Sequence, residues 1–163
     1  MIKTAPRSLV SNHVFAEVWI NATTGQQSLH ATKNFMPGDI ICSFDASGVF
    51  DTATYLTVQT GENKHITLLP EFLQYINHSC SPNVFFNTTT MQLTCLQSVK
   101  ADEEFSFFYP STEWKMVQPF ECYCGSANCL QHITGAADLQ PEIVKQYLFT
   151  DFIEGKLKEA GLK

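Results

Sequence analysis

Apolar residues in this chain fall in short runs divided by turn chemistry, and the runs stay too brief for helices until residue 141. Residues 8–20 carry β-favouring pieces, the clearest being Val14-Phe15-Ala16-Glu17-Val18-Trp19-Ile20. Residues 21–25 read as a turn, residues 29–35 as a strand, and Met36-Pro37-Gly38-Asp39 as a strong turn. Strands follow over 40–44, 55–59 and 64–69, the last two separated by Gly61-Glu62-Asn63, which suits a hairpin loop. Residues 70–76 fit a short helical turn with Pro70 at its first position. Residues 83–87 and 91–99 pair around Thr88-Thr89-Thr90, residues 100–103 turn the chain, and 105–109 form a last strand. Strands this short at this spacing predict a mainly β fold of several small sheets. From Pro141 the period becomes helical: Val144, Leu148 and Phe152 lie four apart, as do Ile143 and Tyr147, so one apolar stripe can face the body. Gly155 weakens a single long helix, and Thr150-Asp151 can cap a second one ending near Gly161.

One stretch breaks the pattern. Asn77-His78-Ser79-Cys80-Ser81-Pro82-Asn83 is polar throughout, between apolar flanks at Phe72 to Ile76 and Val84 to Phe86. Asn and Ser compete with the backbone for hydrogen bonds and Pro82 removes a donor, so the run is a poor helix or central strand. Polar groups placed between apolar segments need partners, in the protein or in a ligand.

Composition narrows the class. With 163 residues, 44% hydrophobic and 16% charged, the chain is long enough for one domain with its own core and is not a disordered segment. The net charge of −6 weighs against non-specific nucleic-acid binding and is compatible with a basic substrate. No apolar run approaches a membrane span, and Met1-Ile2-Lys3-Thr4-Ala5-Pro6-Arg7 lacks the apolar region of a signal peptide. An intracellular location, cytoplasm or nucleus, is therefore expected. The two sites matching the N-glycosylation pattern, at Asn21 and Asn87, then count as chance matches.

Cysteine spacing adds chemistry. Cys42 and Cys95 sit among apolar neighbours and read as packing residues. Cys122-Tyr123-Cys124-Gly125-Ser126-Ala127-Asn128-Cys129 places three thiols within one loop, and Gly125 lets that loop fold back. Structural zinc takes four ligands in a tetrahedron, so a fourth comes from elsewhere; His132 is near in sequence and Cys80 is the distant candidate. Zinc with ligands from both regions would pin the tail onto the Asn77 stretch and assemble a pocket between them.

These motifs together resemble the SET-domain protein lysine methyltransferases. The Asn77–Asn83 stretch is similar to the family's Asn-His-Ser-Cys-x-Pro-Asn motif, and Lys100-Ala101-Asp102-Glu103-Glu104-Phe105-Ser106-Phe107-Phe108-Tyr109 to its Gly-Glu-Glu-Leu-Thr-Phe-Asp-Tyr segment. Cys122, Cys124 and Cys129 resemble its post-SET zinc array, and residues 29–41 its first strand pair and turn. Three motifs in order, across about residues 10–135, are far more specific than any one alone. The resemblance implies a SET fold of small sheets around a pseudoknot, divided as a SET domain over 8–110, a post-SET zinc-binding segment over 111–135 and a C-terminal helical extension over 136–163. It implies S-adenosyl-L-methionine as methyl donor on one face, a lysine entering a narrow channel from the other, and one structural zinc ion.

Residue by residue, the resemblance implies that Asn77 and His78 hold the cofactor and that Cys80 is the fourth zinc ligand with Cys122, Cys124 and Cys129. It makes Tyr109 the catalytic tyrosine and Phe107 the channel residue that tunes how many methyl groups are accepted. Gln27, Ser28 and Leu29 fall at the cofactor strand, and Tyr123 is placed to close over the adenine. Composition alone would leave Tyr109, Phe105, Phe107 and Phe108 as core aromatics, and His78 as a structural histidine.

The pattern also departs from the family. Gln26-Gln27-Ser28 replaces the Gly-x-Gly that permits close backbone approach to the cofactor, His30 replaces an aromatic, and Phe108 stands where an Asp precedes the tyrosine. The insert between Phe44 and Asn77 is short, which predicts a cleft that is open or completed by other segments such as the tail. The expected partner is thus a lysine-containing protein or peptide, with two alternatives: a small amine or natural product, or an inactive zinc-stapled interaction module. No direct nucleic-acid or membrane partner is expected, and the C-terminal helices are a candidate homo-oligomer surface.

Overall fold

The computed structural model describes residues 6–163, so most of the amino-terminal stretch read above for a leader lies outside the described residues. Strands β1 (Arg7–Asn12), β2 (Ala16–Asn21) and β3 (Gln27–Ala31) form one antiparallel sheet in that order. Its inward face is set by alternation: Ala16, Val18 and Leu29 are fully buried. The β2–β3 turn is made by Asn21, whose Oδ1 accepts the Thr23 and Thr24 N–H groups at 2.8 and 3.1 Å. Gly25 takes the left-handed φ of 74° the turn requires.

The next strands, β4 (Ile40–Ser43), β5 (Asp45–Phe50), β6 (Val58–Gly61) and β7 (Lys64–Leu69), split between two sheets. A 3-10 turn over Glu71–Tyr75 leads to β8 (Asn77–His78), and β9 (Val84–Asn87) and β10 (Gln92–Cys95) follow as a hairpin. Pro70 caps that turn in an extended conformation and does not occupy its first helical position. Sheet order is β4-β10-β9 and β5-β7-β6. β5 was not legible in the sequence: Asp45-Ala46-Ser47-Gly48-Val49-Phe50 lacks alternation because it is a half-exposed edge strand, with Val49 and Phe50 largely outward. The strand expected over 55–59 begins only at Val58, since residues 54–57 form a turn closed by the Thr57 N–H donating to the Thr54 carbonyl.

The last strand is shorter than expected. β11 (Ser106–Phe107) pairs in parallel with β8, and the chain then enters a 3-10 turn at Tyr109–Ser111. β12 (Phe120–Glu121) and β13 (His132–Ile133) bracket the cysteine loop. The tail forms α1 (Pro141–Val144), one turn long, and α2 (Asp151–Glu159), which starts after Thr150 and ends before Gly161 at φ 72°. The single stripe does not form: the chain leaves the helix after Val144, Leu148 turns outward, and Phe149, Ile153 and Leu157 are the residues buried with Val144. No helix among the described residues is long and apolar enough to cross a membrane.

Burial divides into three clusters. The main one joins the small sheets around Leu29, Phe86, Leu93 and Phe105. A second joins Phe108 to the tail through Ala136, Val144, Phe149, Ile153 and Leu157. A third holds Cys80, Cys122 and Ile133, with Phe120 and Leu130 against them. The segment after Tyr109 is locked between the second and third. Ala136 and Ala137 donate their N–H groups to the Glu113 and Trp114 carbonyls at 2.9 and 3.0 Å. Gly135 makes this crossing possible, for a Cβ there would stand 2.6 Å from Lys115 Cα.

Candidate active site

The polar stretch finds its partners in the strand before Tyr109. Asn77 lies opposite Ser106 and His78 opposite Phe107 across the parallel pair. Asn83 then clasps the same strand from the other side: its Oδ1 accepts the Ser106 N–H at 2.8 Å and its Nδ2 donates to the Glu104 carbonyl at 2.9 Å. Ser79 N–H donates to the Phe107 carbonyl at 3.0 Å. Asn77 Nδ2 donates to the Gln27 carbonyl at 2.9 Å and to Glu104 Oε1 at 3.0 Å, tying β3 to the same knot. Backbone groups that a strand would leave exposed are thus satisfied by side chains, and Phe107 to Tyr109 are held in one place.

His78 sits between this knot and the thiols. The Tyr109 N–H donates to its Nδ1 at 3.2 Å, which leaves Nε2 protonated and directed at Cys80 Sγ at 3.3 Å. Burial lowers the imidazole to about 4, so it stays neutral and keeps this arrangement at physiological pH. Burial, with the nearby Glu104 charge, pushes the Tyr109 phenol up to about 12, so its hydroxyl keeps its proton. Around Tyr109 the aromatic rings close in, with centroids of Phe107 at 4.7 Å, His78 at 5.2 Å and Phe120 at 5.8 Å.

The ligand atoms of Cys80, Cys122, Cys124 and Cys129 all lie within 4.8 Å of one another, and Cys80 and Cys122 sulfurs are 4.0 Å apart. Tetrahedral zinc with Zn–S bonds of about 2.3 Å spaces its sulfurs about 3.8 Å apart, so this donor set fits the ion. The Leu130 N–H donates to Cys80 Sγ and the Gln131 N–H to Cys129 Sγ, both at 3.4 Å, bonds that favour thiolate over thiol. Burial, with the neighbouring thiols of Cys124 and Cys129, pushes the Cys122 thiol up to about 11, so a thiolate here needs a cation beside it. His132, the other ligand considered, pairs with Glu121 at 2.8 Å instead.

Two cavities meet at this centre. One, of about 710 Å³, is lined by Asn21, Gln26, Ser28, Asn77, His78, Glu104, Ser106, Tyr123 and Cys124 among others. The other, of about 310 Å³, lies against the β5–β7 insert and the 112–120 segment, and its walls include Phe107, Leu73, Ile76 and Glu113. Tyr109 and Phe120 line both.

Of the residues singled out from sequence, Asn77, His78, Ser28 and Tyr123 come together around the larger cavity and Phe107 lines the smaller. Tyr123 is 91% exposed, at the rim. Leu29 is fully buried in the main core and lines neither cavity, and Gln27 contributes its carbonyl to Asn77 while Gln26 takes the place in the wall. The tail helices do not line the smaller cavity; residues 112–120 complete it. Sequence reasoning missed Phe120 and Glu113. Phe120 had a signal in its place two residues before Cys122, but Glu113 sits in a polar run, Ser111-Thr112-Glu113, that carries no mark of burial.

The SET domain family model matches residues 26–110. Methyltransferase flvH of Aspergillus flavus is 42% identical over 106 residues, which are 64% of this chain and 59% of that protein. The H3 lysine-36 specific histone-lysine N-methyltransferase of Saccharomyces cerevisiae is 28% identical over 105 residues, 58% of this chain and 14% of the yeast protein. Its Candida albicans counterpart is 30% identical over 86 residues, 46% of this chain and 10% of that one. The chain thus spans less than two thirds of the length of the curated relatives it matches. The family model takes in the clasp between Asn77–His78 and Ser106–Phe107 and ends one residue past Tyr109, so the chain belongs to the SET domain family of methyltransferases.

Proposed function

We propose that the protein is an S-adenosylmethionine-dependent N-methyltransferase acting on an aliphatic primary amine. The observation that carries this is the meeting of two cavities at Tyr109 and Phe120, a polar one large enough for a nucleoside cofactor and a smaller, aromatic-walled one. The methyl donor, when bound, supplies a methyl group already activated on a sulfonium. What remains for the chain is to orient an amine lone pair toward the junction of the two cavities, where the methyl group would stand, and to exclude water. Phe107, Phe120 and Tyr109 form the dry wall, and the protonated Tyr109 hydroxyl offers a hydrogen bond without adding a charge. In the transfer the S–CH3 bond breaks as the N–CH3 bond forms, and the amine must already have lost its proton to solvent for its lone pair to attack. Asn77, His78, Ser28, Gln26 and Tyr123, which line the larger cavity, would bind the donor. Cys80, Cys122, Cys124 and Cys129 are the residues that would hold one zinc ion, as a structural staple outside the reaction.

The yeast relatives are histone-lysine N-methyltransferases, which favours the lysine side chain of a protein as substrate. A free small amine is the second candidate, favoured by the buried carboxylate of Glu113 in the smaller cavity. Calorimetric titration with S-adenosylmethionine, followed by transfer of a labelled methyl group to amines and lysine peptides, tests the reading. Tyr109→Phe is expected to lower kcat/KM roughly tenfold to a hundredfold, the loss of one hydrogen bond near developing charge. Undiminished turnover in that variant, or no cofactor binding at millimolar concentration, would overturn the assignment.

A further inference from the structure

The smaller cavity is lined by one residue with a carboxyl group, Glu113. Glu113 is only 8% exposed, and its Oε1 is buried without a hydrogen-bond partner. Among the described residues the carboxylate forms no ion pair, and the rest of the cavity wall is neutral: Thr54, Thr57, Gln74 and Thr112 beside aliphatic and aromatic groups. Burying a carboxylate without a partner is costly, and among the described residues no cation or hydrogen-bond donor offsets that cost. The Glu113 carbonyl is used by Ala136, so the backbone is accounted for and the side chain is not. Glu113 and Tyr109, four residues earlier, line the same cavity, so a group bound at Glu113 and a nitrogen at Tyr109 belong to one small ligand.

We propose that the amine taken by this cavity is a small aliphatic molecule bearing a second cationic group, and that Glu113 holds that second charge. The inference rests on the N-methyltransferase reading and names its substrate class. A lysine in a polypeptide brings only methylenes and a neutral backbone behind its reacting nitrogen, and so leaves Glu113 unpaired. A free aliphatic diamine places an ammonium inside the cavity, where a charge-assisted hydrogen bond is strong. Free lysine carries a carboxylate beside its second ammonium and is disfavoured by the same Glu113. The volume, about 310 Å³, is at the small end of ligand sites and suits a chain of a few carbons. Burial raises the carboxyl to about 8, so in the free protein a proton occupies the place the cation would take.

The test compares 1,4-diaminobutane, 1,5-diaminopentane and 1,6-diaminohexane with the monoamines of equal length, with free lysine and with a lysine peptide. Methyl transfer and, in the presence of S-adenosylhomocysteine, calorimetric binding are both read. The expected result is a preference of at least tenfold for the best diamine over its monoamine, in kcat/KM and in affinity. Glu113→Gln, close in shape, is expected to bring that ratio near one, and Glu113→Asp to move the optimum to a diamine one methylene longer. Equal affinity for monoamine and diamine, or a preference that survives Glu113→Gln, overturns the charge assignment and leaves the methyltransferase standing. So does a lysine peptide that outperforms every diamine. Diamine binding without transfer to any amine upholds the site at Glu113 and overturns the methyltransferase reading instead.

Discussion

At the scale of single residues, Glu113 makes a prediction about the free protein that needs no substrate. Its carboxyl titrates near 8 in the folded chain against an ordinary 4.5, with burial as the cause. Between those two values the folded state holds a proton that the unfolded state has released. The contribution of Glu113 to stability is therefore most favourable below about pH 4.5, declines as pH rises and is fully lost above about 8. Glu113→Gln removes the titration. It should exceed the parent in stability by on the order of a few kcal/mol at pH 9, and the gap should close toward pH 5. Urea unfolding of both proteins at pH 5, 7 and 9 measures this, and a gap independent of pH would place the carboxyl in water. A residue that costs stability at working pH and faces a cavity is where function is sought. The sequence did not show it, because one Glu among Ser, Thr and Trp reads the same whether exposed or buried. Tyr109 was legible for a different reason: its position after the Lys100–Phe108 segment, not its chemistry, set it apart from the other aromatics.

At the scale of elements, the tail is tied to the site by one side chain. Tyr147 lies between α1 and α2, stacks on Phe108 with centroids 3.7 Å apart, and donates its hydroxyl to the Cys80 carbonyl at 2.7 Å. Asn128 Nδ2 donates to the same carbonyl at 2.8 Å and to the Tyr147 oxygen at 3.2 Å. The ring and the hydroxyl can be separated. Tyr147→Phe keeps the stack and should cost about 1 kcal/mol, because Asn128 still serves the carbonyl. Tyr147→Ala also loses the stack over Phe108 and should cost about 3 kcal/mol. Equal losses in thermal or urea unfolding would show that the ring contributes nothing. The helical period of the tail was legible from Pro141, but its break at residue 145 was not, since Leu148 fits an ideal stripe that the turn at 145–150 rotates away from the core. The same limit hid β5, whose pairing to β7 is set by backbone hydrogen bonds and not by an apolar face. The ordered polar motif was legible because its seven residues have no reason to be polar in a core except to bond one another and the strand they clasp.

At the scale of the whole molecule, the thiol cluster joins parts of the chain that are far apart in sequence, and two of its members, Cys122 and Cys124, line the larger cavity. Cys80 stands two residues past the end of the Asn77–His78 strand, while Cys122 and Cys124 stand beside Phe120, the residue that walls both cavities with Tyr109. Metal bound by the four sulfurs would hold the 112–131 segment against the clasp; without it, thiolates repel one another and neutral thiols make no bond across the loop, so the loop is free to open. Chelation should therefore do more than lower stability. One zinc per chain is expected by metal analysis, and its removal at neutral pH should weaken S-adenosylmethionine binding by at least tenfold and expose residues 112–131 to proteolysis. The sheet β1-β2-β3 has no cysteine and should keep its amide-exchange protection. Cys80→Ser should reproduce the effect in part, since three ligands hold zinc more weakly than four. His78 gives the coupling a path: its Nε2 hydrogen bond to Cys80 and its Nδ1 bond from the Tyr109 N–H connect a thiol ligand to the shared wall through one neutral ring. If the metal-free protein binds the cofactor as tightly as the zinc form, the staple and the active site are independent, and the fold holds Tyr109 in place through the Asn83 clasp alone.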